Sequence, residues 1–275
     1  MAADRITRDY NNMKIIVCIK QVPDTTDVKI NPQTNTLIRD GVRSIVNPFD
    51  MYAIEEALRI RENLGGHVIA ITMGPPQAKI VLEEAIAMGA DDAILLSHRD
   101  FAGSDTLATS YALTQAIKKI GKFDLIICGK QATDGDTAQV GPGIASQLSI
   151  AQITHIRKIT EISKKNITCE RMTESGHDII TAKLPCLITV LKDINKPRYS
   201  TFLGKVKAKR MKLSTKGPKD ISCEIERIGL EGSPTWVEKI FPPKTRRSCM
   251  PLAATDDNLD KTTKELYAQI GSLWE

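Results

Sequence analysis

Aromatic residues are scarce in this chain of 275 residues, at 4 % of the total, so its core must be built from Ile, Val, Leu, Ala and Met. There is no CxxC pair among the six cysteines (Cys18, Cys128, Cys169, Cys186, Cys223 and Cys249), and none has a histidine at metal-ligand spacing. Cys18 and Cys128 lie inside the apolar runs IIVCIK and LIICGK, where a reduced cysteine acts as a small core residue, and a reducing cytoplasm is the expected location. No apolar run reaches the ~18 residues of a membrane span, so none is expected. The opening MAADRITRDYNN mixes both charge signs and lacks an apolar stretch, so it is not read as a signal peptide. It reads as a tail over 1–13, or Met13 as an alternative start. Neither GxGxxG nor GxxxxGK[ST] occurs, which removes the dinucleotide fingerprint and the P-loop. No serine sits in a GxSxG elbow. The histidines (His67, His98, His155 and His177) are scattered; His67 opens a strand and reads as structural, and the others show no partner. An acid–base hydrolase therefore has no constellation to rest on.

What is present is ordinary for a folded soluble protein: 41 % hydrophobic, 26 % charged, and a mildly basic net charge of +5. KIIVCIKQ (14–21), HVIAITMG (67–74), DAILLS (92–97) and DLIICGK (124–130) are near-continuous apolar runs, as in strands buried on both faces of a parallel sheet. Between them the spacing predicts helices. In 48–64, Ala53, Ile54, Ala57, Leu58 and Leu64 share a face, and Gly65-Gly66 ends the run. Segments 76–88 and 105–120 repeat the pattern, and Val140, Ile144 and Leu148 mark a fourth helix. Strands alternating with helices imply right-handed βα units, hence an α/β fold with a doubly wound parallel sheet of flavodoxin-like type over 14–192. Residues 22–46 interrupt the alternation and read as a loop with a short hairpin.

After residue 150 the texture changes. ITHIRKI, NITCERMT, HDIITAKL and CLITVLKD are strand-like, with ESG (174–176) as a turn, and read as additions to the sheet edge. From 193 Pro, Gly and charge increase, which predicts an extended arm to about 254. An amphipathic helix over 257–273 (Leu259, Leu266, Ile270, Leu273) is expected to follow it. Such an arm must pack on its own domain or wrap a partner.

Three segments share one design, a strand end followed by small or polar residues and a helix start. In VNPFD (46–50), Asn47 suits an N-cap, Pro48 the first helical position and Asp50 the first turn. In GSDT (103–106), Ser104 or Asp105 can cap. In GKQATDGDTAQVGP (129–142), Asp136 and Gln139 have capping-box spacing, and Gly129, Gly135 and Gly141 allow close approach and positive φ. Asp134 and Asp136 would repel a phosphate, so loop-holding roles suit them. At the carboxyl ends of parallel strands these segments are where a nucleotide would bind, with backbone amides and helix dipoles on its phosphate; helices also simply need caps. A second feature, residues 192–212, holds eight Lys/Arg against Asp193 alone, with Tyr199, Phe202 and Leu203 among them. It reads as a nucleic-acid strip, a protein-recognition segment or a solvated loop.

KQVPDT (20–25), VNPFDMYAIEEALRIRE (46–62), AMGADDAILLS (87–97), FAGSDTLATS (101–110), GKQATDGDTAQVGP (129–142) and INKPRYST (194–201), together and in order, resemble the β subunit of electron-transfer flavoproteins. The likeness covers about residues 14–255. It implies a heterodimer with an α subunit that carries FAD, the 193–275 segment wrapping that subunit, and a nucleotide in this chain's cleft. The cofactor positions it implies are Cys18, Asn47, Pro48, Phe49, Asp50 and Met73, with the loop Gly129, Lys130, Gln131, Ala132, Thr133, Asp134, then Gly135, Asp136, Thr137, Ala138, Gln139 and Val140. One branch of the family holds AMP and shuttles single electrons without reacting with NADH. The other, electron-bifurcating branch holds a second FAD that accepts hydride from NADH. The DGDTAQVGP loop, with small residues at Gly135, Thr137 and Ala138, and GLEGSPTWVEKIF (229–241) resemble the bifurcating branch. Ser104, Asp105 and Thr106 lie where they could meet NAD(H). Tyr199, Ser200, Thr201, Phe202 and Leu203 match the family's recognition loop for a partner dehydrogenase, with Phe202 at an anchor position where the AMP-holding branch commonly has leucine. The expected partner is an FAD-dependent dehydrogenase of acyl-CoA or 2-hydroxyacid type. No nucleic acid is expected to bind.

Overall fold

A computed structural model describes residues 13–24, 44–238, 255 and 258–271. The described residues up to Glu238 form one compact unit, and those after it another. The first unit begins β1 (Met13–Cys18), β2 (Gln21–Pro23), β3 (Ser44–Val46), α1 (Pro48–Leu64), β4 (Gly66–Met73), α2 (Lys79–Met88), β5 (Asp92–Leu96), α3 (Thr106–Ile120), β6 (Leu125–Gly129) and α4 (Val140–Leu148). There follow β7 (Ala151–Ile162), β8 (Asn166–Thr173), β9 (Gly176–Lys183), β10 (Cys186–Val190), α5 (Phe202–Arg210) and β11 (Ser214–Lys216). Among the described residues the main sheet runs β11-β5-β4-β1-β6-β10-β7-β8-β9, parallel from β11 to β7 and antiparallel from β7 to β9. β2 and β3 pair antiparallel, which is the base of the expected hairpin; residues 25–43 lie outside the described residues.

Helices cover both faces of the sheet, and this is why the strands read as unbroken apolar runs. Ile15 and Val17 of β1 pack with Leu58 of α1 and Leu82 and Ile86 of α2. Ile16, on the opposite face, packs with Tyr111 and Ile117 of α3 and Ile144 of α4. A residue at either phase of the strand loses its water contact, worth roughly 1.5–3 kcal/mol per large aliphatic side chain. Helix α1 starts with Pro48 and stops at Gly65, whose φ of 74° a side chain would resist.

Two expectations are corrected. CLITV is not an edge addition: β10 lies between β6 and β7, parallel to both, and all five residues are buried. Only β8 and β9, with the distal half of β7, extend the edge. The region from 193 is not extended throughout. Thr201 caps α5 by accepting from the Gly204 amide, and β11 pairs with β5 as the sheet's other edge. Charge hid α5, because only Ala208 of its residues is buried. The helix is held by docking on α2: the Thr201 amide donates to Ala87 O, Lys207 Nζ donates to Ala90 O at 3.1 Å, and a Cβ on Gly204 would strike that Ala87 oxygen. The compact unit thus continues to Glu238, past the boundary that composition suggests at 192. Residues 239–254 of the expected arm, with Cys249, lie outside the described residues, as do residues 1–12.

In the second unit, α6 (Leu259–Gly271) lies within the span expected at 257–273. Leu259, Leu266 and Tyr267 on it are exposed. Leu273 is outside the described residues, as is the side chain of Ile270.

Candidate functional site

A cleft of about 870 Å3 opens at the carboxyl ends of β1, β4, β5 and β6. This is the end at which parallel α/β sheets bind ligands. Of the expected positions, Cys18, Asn47, Asp50, Met73, Ser104 and Thr106 line it, and so do Gly129, Lys130, Gln131, Ala132, Gly135, Thr137, Ala138, Gln139 and Val140. Pro48, Phe49, Asp105, Thr133, Asp134 and Asp136 do not. Lys20, the Pro75-Pro76 turn, Ser97, His98, Arg99, Phe101, Thr109, Leu113 and Cys128 also line it, and the sequence analysis marks none of them as site residues. Cys128 had a signal: it is the parallel-sheet partner of Cys18. The others follow strands or face inward on α3, and spacing alone could not mark them.

Asn47 stands at the N-cap of α1 but makes no cap bond. Its amide spans 84 residues to donate to Gln131 O at 2.8 Å, and its Oδ1 accepts from the Thr133 amide at 3.1 Å. It latches the loop to the helix start. Asp136 and Gln139 form no capping box: Asp136 accepts from the Gln131 side chain, and Gln139 pairs with Thr106 at 2.9 Å. The loop's left-handed residues are Asp136 (φ 52°) and Ala138 (φ 54°), not its glycines. Asp134 takes a salt bridge from Lys20 at 2.7 Å, so the carboxylate that would repel an anion is matched by a cation. At α3, Asp105 rather than Ser104 is the cap, accepting from the Leu107 and Ala108 amides and also from Thr235, and these donors hold its carboxyl below the ordinary aspartate range against its partial burial. Ser104 donates to Phe101 O and accepts from the Gly229 amide.

The α3 and α4 starts at the cleft therefore differ. The α3 amides are occupied by Asp105, whereas α4 begins with no side-chain cap where Val140 and Gly141 line the cavity. Uncapped first-turn amides at the positive end of a helix dipole suit a phosphate. Met73, Leu113, Phe101 and the Pro75-Pro76 turn supply apolar wall for a ring system. A hydrogen bond with the neighbouring Cys18 pushes the Cys128 thiol well above its ordinary value, and burial raises it further, so it stays protonated and is no nucleophile. His98 accepts from the Asp100 amide, and His67 Nε2 meets Asp92 at 2.6 Å, so two histidines without visible partners in sequence, or read only as structural, have carboxylate neighbours. Among the described residues no cluster of three or more His, Cys, Asp or Glu could hold a metal.

The basic segment forms a separate feature. Tyr199, Phe202 and Leu203 are 95 %, 80 % and 78 % exposed, with Ser200 and Thr201 between them. Just before them, Arg198 clamps α1, reaching Glu55 at 2.8 and 3.0 Å and Glu62 through both Nη atoms, while Asn195 bonds Tyr52 O and Glu56. Glu55 is nearly buried, so Arg198→Ala would leave its charge without a cation. We expect a loss of about 2 kcal/mol, below the range for fully buried pairs because Arg198 is one-third exposed and its backbone amide still serves Glu55. Urea unfolding checks the loss, and faster proteolysis within 199–210 checks that the clamp fixes this segment.

Residues 34–220 match the electron transfer flavoprotein domain family. The chain is 48 % identical to the electron transfer flavoprotein subunit beta of Megasphaera elsdenii over 94 % of this chain and 99 % of that one. It is 46 % identical to protein FixA of Azotobacter vinelandii over 92 % of each chain. It is 48 % identical to the caffeyl-CoA reductase-Etf complex subunit CarD of Acetobacterium woodii over 85 % of this chain and 89 % of that one.

Proposed function

Because the chain belongs to the electron-transfer flavoprotein β-subunit family, we propose that it serves as the β subunit of such a carrier, paired with an α subunit and holding an adenine nucleotide in its cleft. The observation that carries this reading is the uncapped start of α4 facing an apolar-walled cleft, in a site with no acid–base or nucleophilic constellation. A carrier needs none: the protein binds and orients while the cofactor supplies the redox chemistry. Asn47, Lys20 and the 129–140 loop shape the pocket, and the α4 amides hold the phosphate.

Family membership favours AMP as that nucleotide, a structural ligand in a single-electron shuttle, over the bifurcating form that the loop sequence suggests. One observation favours the second reading. The cleft is near the upper end of the ~300–1,000 Å3 typical of ligand sites, and continues from the 129–140 loop to Ser97–Thr106, more room than a mononucleotide fills. FAD there would supply hydride acceptance from NADH, with Ser104 and Thr106 near the entering dinucleotide and Asp105 behind them. The exposed Tyr199–Leu203 segment is the proposed contact for an FAD-dependent dehydrogenase. The CarD relative, named for a caffeyl-CoA reductase complex, favours a partner acting on CoA thioesters over a 2-hydroxyacid dehydrogenase. Cys18, Cys128, Cys169, Cys186 and Cys223 are all unbridged, in keeping with a cytoplasmic setting, and no described helix is long and apolar enough to cross a membrane.

The test is a nucleotide count on the chain purified with its α subunit, followed by anaerobic NADH. One FAD and one AMP, with no bleaching by NADH, is the outcome expected for the shuttle. Two FAD bleached by NADH would establish the bifurcating reading instead. A complex without nucleotide in this subunit would overturn both.

A further inference from the structure

Asp50 is a carboxylate at the cleft wall with no countercharge of its own. It is 5 % exposed, yet it lines the cavity. Its acceptor bonds come from neutral donors: the Lys20 amide at 2.7 Å, the Gly129 amide and the Asn47 side chain. The neighbouring cation is committed elsewhere, since Lys20 Nζ pairs with Asp134. Around it stand Cys18 and Lys20 from β1 and the turn after it, Cys128 and Lys130 at the end of β6, and Asp134 in the following loop. The Cys128 thiol remains neutral, and Asp50 makes no ion pair among the described residues.

Resting on the reading of this cleft as a nucleotide site, we propose that Asp50 takes up a proton from solvent when an anionic nucleotide binds, so that affinity depends on pH through this one carboxylate. A ligand over the wall removes the remaining water from Asp50 and brings negative charge into the same low-dielectric space. Both effects disfavour the ionised carboxylate. The step is a protonation alone, carboxylate plus H+ giving carboxylic acid, and no electrons move. In its acid form Asp50 keeps Oδ2 as the acceptor of the Lys20 amide and offers an O–H from its other oxygen to the cavity. Burial already holds its pKa at about 7 in the unliganded chain, which puts the linkage near neutral pH. The 84-residue and 114-residue bridges of Asn47 and Lys20 keep the surrounding loop in place whichever form Asp50 takes.

The experiment is titration calorimetry of AMP into the full, nucleotide-free chain between pH 7 and 9, in buffers of different ionisation enthalpy. In that window the AMP phosphate is already a dianion, its second pKa being about 6. Wild-type affinity should fall up to about tenfold per pH unit, with net proton uptake on binding. Asp50→Asn, which imitates the acid form, should bind without that slope and without the uptake. A flat wild-type profile, or a slope that survives in Asp50→Asn, would overturn the proposal. Absence of any saturable heat from AMP and from FAD alike would instead overturn the nucleotide reading, and this inference with it. Should Asp50→Asn not fold, the carboxyl 13C shift of Asp50 at pH 8 decides: it moves to the acid value on adding AMP, or the proposal is wrong.

Discussion

Gly129→Ala should cost the protein about 3 kcal/mol, the upper part of the range for overpacking, and should close the inner end of the cleft. Gly129 is the last, fully buried residue of β6. A Cβ there would run into Asp50 Oδ1 and stand 2.7 Å from the backbone carbon of Phe49. No side-chain rotation relieves this, because the obstacle is the first turn of α1 itself. To make room, either β6 or the α1 start must shift, and both form the wall that Asn47, Asp50 and Lys130 present to the cavity. Gly135→Ala, six residues along the same loop, is the control. Its Cβ would meet only Lys20 Nζ at 4.0 Å, so a change within about 0.5 kcal/mol is expected. Urea titration of both variants checks the contrast, and equal midpoints would show that the Phe49–Gly129 contact is not what fixes this corner.

Stability should fall as pH rises from about 4 to about 7, and Asp50 should be a main cause. Burial raises its pKa from the ordinary 3.8 to about 7, so between those values the folded chain binds a proton that the unfolded chain has released. Where the native state binds more protons, unfolding free energy decreases with pH. The effect is absent below the unfolded pKa and complete above the folded one. The rise from 3.8 to about 7 corresponds to roughly 4 kcal/mol at most, each tenfold change in proton affinity being worth about 1.4 kcal/mol. Glu56, raised by its own burial, contributes in the same direction, so the measurement is a difference. Subtracting the Asp50→Asn stability curve from the wild-type curve between pH 4 and 8 should leave a descending line. Parallel curves would mean that Asp50 is ionised in the fold at neutral pH, stabilised by its three donors.

The sequence was informative wherever a residue's neighbours in the chain decide its environment. The apolar runs of β1, β4, β5 and β6 required a sheet covered on both faces, and the 3.6-residue spacing required α1 to α4 between them. Pro48 and Gly65 fixed the two ends of α1 through their own backbone preferences. Strand ends followed by small and polar residues located the cleft.

Only the tertiary structure decided matters that depend on residues far apart. CLITV looks the same at an edge as at the centre of a sheet, and strand order, not its own composition, put β10 between β6 and β7. The charges of 201–210 disguise a helix because its stability comes from Ala87 of α2 and Ala90 just after it, more than 100 residues earlier. Asn47 and Asp136 look like caps by local spacing. Each found a stronger or closer partner in the folded chain: Asn47 on Gln131 and Thr133, Asp136 on the Gln131 side chain. Local rules assign helix, strand and turn because backbone geometry and side-chain periodicity are short-ranged. A binding site is assembled from loops that meet only after the sheet has ordered them, so its hydrogen-bond partners and buried charges were fixed by packing.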